Sequence, residues 1–109
     1  DDVIISAGWT IGAVEVEDAV LSHPAVAECA VIGAPDELRG LVVKAFIILK
    51  GPETPGLAKS IQDHVRARLA RHEYPRQIAF VTELPKTPAG KVNRKILRDQ
   101  EAEKLAAAE

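Results

Sequence analysis

Val3-Ile4-Ile5 is a short β-branched run, Ala7-Gly8 breaks it, and Trp9-Thr10-Ile11 resumes extended character before Gly12. That pattern predicts a tight hairpin with Gly8 at its turn. From residue 14 to residue 22 the spacing changes: Val16, Ala19 and Val20 share a helical face, acidic residues fill the first turn, and Pro24 stands just beyond the end. Val26 to Gly33 reads as a strand that Ala34-Pro35-Asp36 turns back. Leu41 to Leu49, apolar except for Lys44, reads as a buried strand. After a Gly/Pro loop, Leu57, Ile61, Val65 and Leu69 recur at every fourth position, predicting a helix of about four turns that ends near Arg71. A last strand runs from Gln77 to Thr82 through Ile78, Phe80 and Val81. Two prolines and a glycine keep Pro85 to Gly90 irregular; from Asn93, a suitable cap, a helix runs through Ile96, Leu97 and Leu105. The fold class is therefore α+β: a small mixed sheet of about three strands plus an N-terminal β-hairpin, flanked by helices.

Composition fits this picture. The 109 residues, 47% of them hydrophobic, suit one domain, and with only 4% aromatic residues the aliphatic side chains must do the packing. A formal net charge of -2 argues against a dedicated nucleic-acid or anionic-membrane binder. The charge is uneven, however: the first third is acidic and the stretch from Arg66 to Arg98 is basic. One basic face suits a small polyanion such as a nucleotide, or is simply solvated surface. Cys29 is the single cysteine, which excludes an internal disulfide and fits a reducing, cytoplasmic setting. No apolar run reaches membrane-spanning length and no secretory leader pattern is present. With no methionine at all, the chain reads as part of a longer protein.

The chemistry concentrates in two places. Leu84 to Lys91 is a proline-punctuated loop in which Lys91 directly follows Gly90, so its ammonium can project from the domain body. A compact point charge on a flexible stem suits a phosphate or carboxylate oxygen on which charge develops. A Walker-type loop is excluded, since Val92 stands where Ser or Thr is required and the glycines are too few. The second place is the N-terminal hairpin, where Gly8 allows close approach to the backbone. Trp9 beside it either meets a ligand or plugs the core, and a lone Trp favours the core. His23, His64 and His72 have no ligand spacing with Cys29 or with one another, so no metal site is assigned. Cys29, on a strand, reads as a core residue.

Residues 1–17, DDVIISAGWTIGAVEVE, resemble the hinge and hairpin motif of the adenylate-forming enzymes, and residues 83–91, ELPKTPAGK, resemble their C-terminal lysine motif. HPAVAECAVIG over 23–33 and YPRQIAFV over 74–81 are similar to the linking segments. The resemblance spans the chain in order and is nearest the acetyl- and medium-chain acyl-CoA synthetase branch. It implies that residues 1–109 form the C-terminal lid of an AMP-forming acid–thiol ligase whose large N-terminal domain is absent. In such enzymes a carboxylic acid attacks MgATP to give an acyl-adenylate and pyrophosphate, and CoA then takes the acyl group and releases AMP. The lid turns between the steps, since one rigid site cannot serve both.

Carried over by resemblance, Lys91 is the adenylation lysine, bridging carboxylate and phosphate, and Asp1 is the hinge. Ala7, Gly8 and Trp9 line the pantetheine tunnel, and Arg39, Arg66, Tyr74, Pro75 and Arg76 contact CoA. Guanidinium groups suit its phosphates, and an aromatic ring suits its adenine. At the ATP-contacting position after the aromatic, the family's usual arginine is replaced by Thr10, which offers a hydroxyl and no charge. ATP, Mg2+ and CoA thus belong to the full-length enzyme, with none held tightly by this domain alone, which is expected to be inactive; its partner is its own N-terminal domain. Two alternatives are the lid of a carrier-protein-loading adenylation enzyme and a stand-alone binding or regulatory module. A nucleic-acid contact through Lys86, Lys91, Arg94, Lys95 and Arg98 is disfavoured by net acidity and few aromatics.

Overall fold

The computed structural model describes residues 3–108. β1 (Val3–Ser6) and β2 (Trp9–Gly12) pair antiparallel with Ile4 opposite Ile11 and Ser6 opposite Trp9. Ala7 and Gly8 turn the chain, both with left-handed φ, 50° and 84°. This two-residue geometry matches the twist of the flanking strands. α1 (Ala13–Leu21), β3 (Val26–Asp36), β4 (Gly40–Leu49), α2 (Leu57–Arg66), a 3-10 turn at Arg71–Glu73, β5 (Gln77–Phe80) and α3 (Arg94–Ala108) follow. The second sheet has the order β3-β4-β5, antiparallel then parallel, and α2 supplies the crossover that a parallel step requires.

Three boundaries differ from the sequence expectation. The β3–β4 pair runs on to Asp36 opposite Gly40, so Ala34-Pro35-Asp36 belongs to the ladder, and the turn is shorter. Pro35 is tolerated because β3 is an edge strand. α2 stops at Arg66 rather than near Arg71: the Arg68 amide bonds Val65 O, one residue short of the helical partner, and Ala70 is extended at ψ 153°. Leu69 keeps the four-residue spacing beyond the helix end: its amide still bonds Val65 O at 2.9 Å and its side chain packs against the core. β5 closes at Phe80, two residues early.

The β-sheet alternation divides the core in two. Cys29 and Val31 of β3 with Val43, Ala45 and Ile47 of β4 face α1, α2 and the hairpin, where Val16, Val20, Ile61, Val65, Ile4 and Ile11 are buried. Ala30, Ile32 and Phe46 face the other way, against Leu84 and Leu97. The hairpin sits close because residue 33 is glycine: a Cβ there would come within 3.1 Å of Ile4 and 3.0 Å of Leu41. Among the described residues of α3 only Leu97 is buried, so ion pairs do the rest of its docking. Arg94 meets Glu17, and Glu101 meets Lys44 at 2.7 Å, with both side chains of the latter pair only 10% exposed.

Candidate functional site

Thr87-Pro88-Ala89-Gly90 closes a minimal hairpin. The Gly90 amide donates to Thr87 O (2.8 Å), and Gly90 takes φ 83°, which glycine adopts without strain. Thr87 then brackets the next residue: its amide donates to Lys91 O (2.7 Å), and its hydroxyl accepts from the Lys91 amide (3.3 Å). Lys86 and Val92 bridge antiparallel, and the Asn93 amide donates to Pro85 O at 2.8 Å. Asn93 also caps α3, accepting from the Ile96 amide at 3.2 Å. The segment expected to be irregular is thus a clamped turn. Leu84 and Val92 root it on the second face of the sheet.

Lys91 is exposed, and among the described residues it makes no ion pair. Its neighbours differ: Lys86 pairs with Glu28 at 2.9 Å and Lys95 with Asp99 at 2.9 Å. With Arg94 meeting Glu17, three cations flanking Lys91 face the protein's own carboxylates. Lys91 has no carboxylate partner among the described residues, so its ammonium is available to an anionic partner from outside.

A different arrangement stands on the first face. Trp9, Arg39, Arg66, Ala70, His72, Tyr74 and Arg76 line an open cleft of about 600 Å3. Hairpin, β3–β4 turn, end of α2 and the segment before β5 all contribute. The Ala7 amide donates to Arg39 O at 3.0 Å, which ties the hairpin tip to the turn carrying Arg39. Tyr74 lies between two guanidinium groups, Arg66 at 4.7 Å and Arg76 at 5.0 Å from the ring centre. Trp9 is not a core plug, contrary to the weighting given to a lone Trp: it is 55% exposed and stacks on His72, with ring centres 4.2 Å apart and planes 16° from parallel. One aromatic ring flanked by two guanidinium groups, a stacked Trp–His pair and a third arginine make this cleft chemically suited to a phosphorylated, planar ligand.

Not every expected residue joins it. Ala7 and Gly8 are exposed at the hairpin tip, outside the cleft, and Ala7 holds a positive φ that costs a non-glycine residue energy. Pro75 is fully buried, and its carbonyl accepts from Gln62 at 2.9 Å, so it positions Tyr74 and Arg76 from beneath. Thr10, exposed and opposite Ile5, belongs to the hairpin, whereas Lys91 belongs to the loop on the other sheet face. Asp1, the expected hinge, lies outside the described residues. His72 was not singled out from sequence; nothing in its spacing marks it. Near it, the Glu15 carboxyl is raised by its hydrogen bond to Glu73, by that group's charge and by slight burial. Burial, reinforced by the charge of Glu17, pushes the Cys29 thiol up despite Arg94 nearby and leaves it inert. Among the described residues no group of three or more His, Cys, Asp or Glu could hold a metal, and no helix is long and apolar enough to cross a membrane.

The small α+β domain thus carries a loop lysine without an ion-pair partner among the described residues on one side of its sheet and an arginine-lined cleft on the other. The chain belongs to the AMP-binding enzyme C-terminal domain family, whose model matches residues 15–91. Human acyl-coenzyme A synthetase ACSM4, mitochondrial, is 52% identical over 105 residues, which are 93% of this chain and 18% of that protein. The crystal structure of Brucella canis acyl-CoA synthetase superposes with a TM-score of 0.91 at 54% identity, over 96% of this chain and 20% of that one. The anthranilate CoA ligase AuaEII, solved in complex with anthranoyl-AMP, gives a TM-score of 0.89 at 47% identity over 100% of this chain and 21% of its own. The chain therefore spans about a fifth of the length of the proteins it matches.

Proposed function

We propose that this chain is the C-terminal domain of an ATP-dependent, AMP-forming acyl-CoA ligase and that it serves the two half-reactions with opposite surfaces. Lys91 serves adenylation, where its ammonium meets the carboxylate and the α-phosphate as negative charge builds on the oxygens around the attacked phosphorus. The arginine cleft serves thioester formation, holding the nucleotide end of CoA while the hairpin at Ala7 and Gly8 borders the path of its thiol. Thr10 offers ATP at most a hydroxyl. The large N-terminal domain, absent here, would supply the acid pocket and hold MgATP, with Asp1 as the hinge between the two. The observation that carries the reading is Lys91 itself: an exposed ammonium without an ion-pair partner among the described residues, on a clamped turn. Free CoA fits the cleft better than a carrier-bound pantetheine, which lacks the nucleotide that three guanidinium groups would address. The human relative ACSM4 is by name mitochondrial; for this chain we propose the cytoplasm, where its single thiol stays reduced.

The test is Lys91→Ala in the full-length enzyme. ATP–pyrophosphate exchange should fall about 100-fold or more, since a removed charge-stabilising contact costs about 3–4 kcal/mol of barrier. Thioester formation from preformed acyl-adenylate should persist. Equal loss in both half-reactions would refute the division of labour.

A further inference from the structure

Three residues beyond Lys91, Arg94 opens α3 and reaches into the domain to Glu17 of α1. The contact is two-pronged: Nε donates to Oε2 at 2.8 Å and Nη2 to Oε1. Glu17 is only 7% exposed, and its Oε2 also accepts the Val31 amide at 2.7 Å. One buried carboxylate therefore joins α1, an edge of β3 and the first residue of α3. Three donors from two other elements hold its two oxygens, a geometry with little freedom to rotate.

That fixed point is close to Lys91 in the chain. Between them Val92 bridges to Lys86, and Asn93 is bonded on both sides, to Pro85 O through its amide and to the Ile96 amide through its side chain. A displacement of Arg94 thus has no slack in which to be absorbed before it reaches Thr87 and Lys91. We infer that Glu17 and Arg94 are positioning residues for the Lys91 ammonium: their bidentate pair sets where the lysine turn stands relative to the sheet. The inference rests on the adenylation role proposed for Lys91. The arginine cleft, hung from the other sheet face, does not depend on this pair.

The test uses the full-length enzyme with Arg94→Lys, which keeps the charge and loses the fork, beside Glu17→Gln and Lys91→Ala. Arg94→Lys should lower the rate of ATP–pyrophosphate exchange about 10-fold to 100-fold with KM for ATP little changed, as misplacement of a positioned group does. Thioester formation from preformed acyl-adenylate should stay within about twofold of the parent in the same protein preparation. A mere loss of stability would lower both half-reactions together through the folded fraction, so the split is the deciding readout; equal loss overturns the inference. If Glu17→Gln fails to fold, Arg94→Lys alone decides. If Lys91→Ala cripples exchange and Arg94→Lys does not, the positioning role falls and the lysine's role stands. Should Lys91→Ala leave exchange intact, both fall.

Discussion

Arg39→Ala is the sharpest probe of the arginine cleft, because the backbone around Arg39 is held without its side chain. The carboxylate of Asp36 accepts the amides of Leu38 and Arg39 at 3.1 and 3.0 Å, and Arg39 O accepts the Ala7 amide. All three bonds survive truncation, so the substitution removes a guanidinium and leaves the turn in place. A hydrogen bond to a charged group contributes about 1.5–3 kcal/mol. The cleft is open to water, and exposed charges are screened, so the lower part of that range applies: about 1.5–2 kcal/mol, or roughly 10-fold to 30-fold in affinity. In the full-length ligase, KM for CoA in the thioester step should rise by that factor, with ATP–pyrophosphate exchange unaffected. Arg39→Lys, which restores a point charge without the planar fork, should fall between the two. Raising salt should narrow the gap between parent and Arg39→Ala. An unchanged KM for CoA, or exchange falling in step with thioester formation, would refute the assignment of this cleft to the acceptor.

Two further predictions concern the domain itself. Lys44→Ala strands Glu101 in a nearly enclosed position, softened by Lys104 at 3.4 Å, and urea unfolding should show a loss of about 3 kcal/mol, the low end for a broken buried pair. Burial pushes the Glu101 carboxyl up, but the Lys44 hydrogen bond and charge, aided by Lys104, outweigh it and hold it below the ordinary range; this stability is present above the unfolded-state value and lost as pH falls through the folded one, a dependence Lys44→Ala should weaken. His64 is likewise lowered, by burial first and then by the charges of Arg68 and His23, so folding favours its neutral form. Its contribution is complete above the ordinary imidazole value of about 6.5 and fades as pH drops below it; His64→Gln should flatten the Tm-versus-pH curve there, and an unchanged slope would contradict the shift.

The elements were legible where a period repeats and obscure where a tertiary contact decides. The apolar runs of β3 and β4 and the four-residue rhythm of α2 survive into the structure because they are the core itself. The end of α2 was not legible, since Leu69 continues the rhythm while the ladder has already tightened at Arg68. Pro85 to Gly90 carried the signal for a turn but not for its closure, which depends on the Thr87 hydroxyl and on strands meeting across it. Glu17 read as one of the acidic residues favouring a helix start, yet it is buried because Arg94 comes from the far end of the chain to meet it. His72 had no local mark at all; its stacking on Trp9 exists only once the hairpin has docked.

Parity along β4 links the register of the sheet to both surfaces. Cys29 opposite Ile47 and Val31 opposite Ala45 point to the helical face, while Ala30 opposite Phe46 and Ile32 opposite Lys44 point to α3. A slip of β4 by one residue would drive Lys44 into the aliphatic layer between sheet, α1 and α2, away from Glu101 and from the Phe46 ring it now overlies at 5.1 Å. An unpaired ammonium there costs several kcal/mol, so this one polar residue in an otherwise apolar strand rejects the slipped sheet. The correct register then determines that the segments carrying the arginine cleft hang from one face and the lysine turn from the other. Close-packed layers on both sides of β4 do not slide past each other without losing their contacts. The two surfaces therefore keep a fixed relation, and presenting one in place of the other to a single reaction centre requires turning the domain as a body.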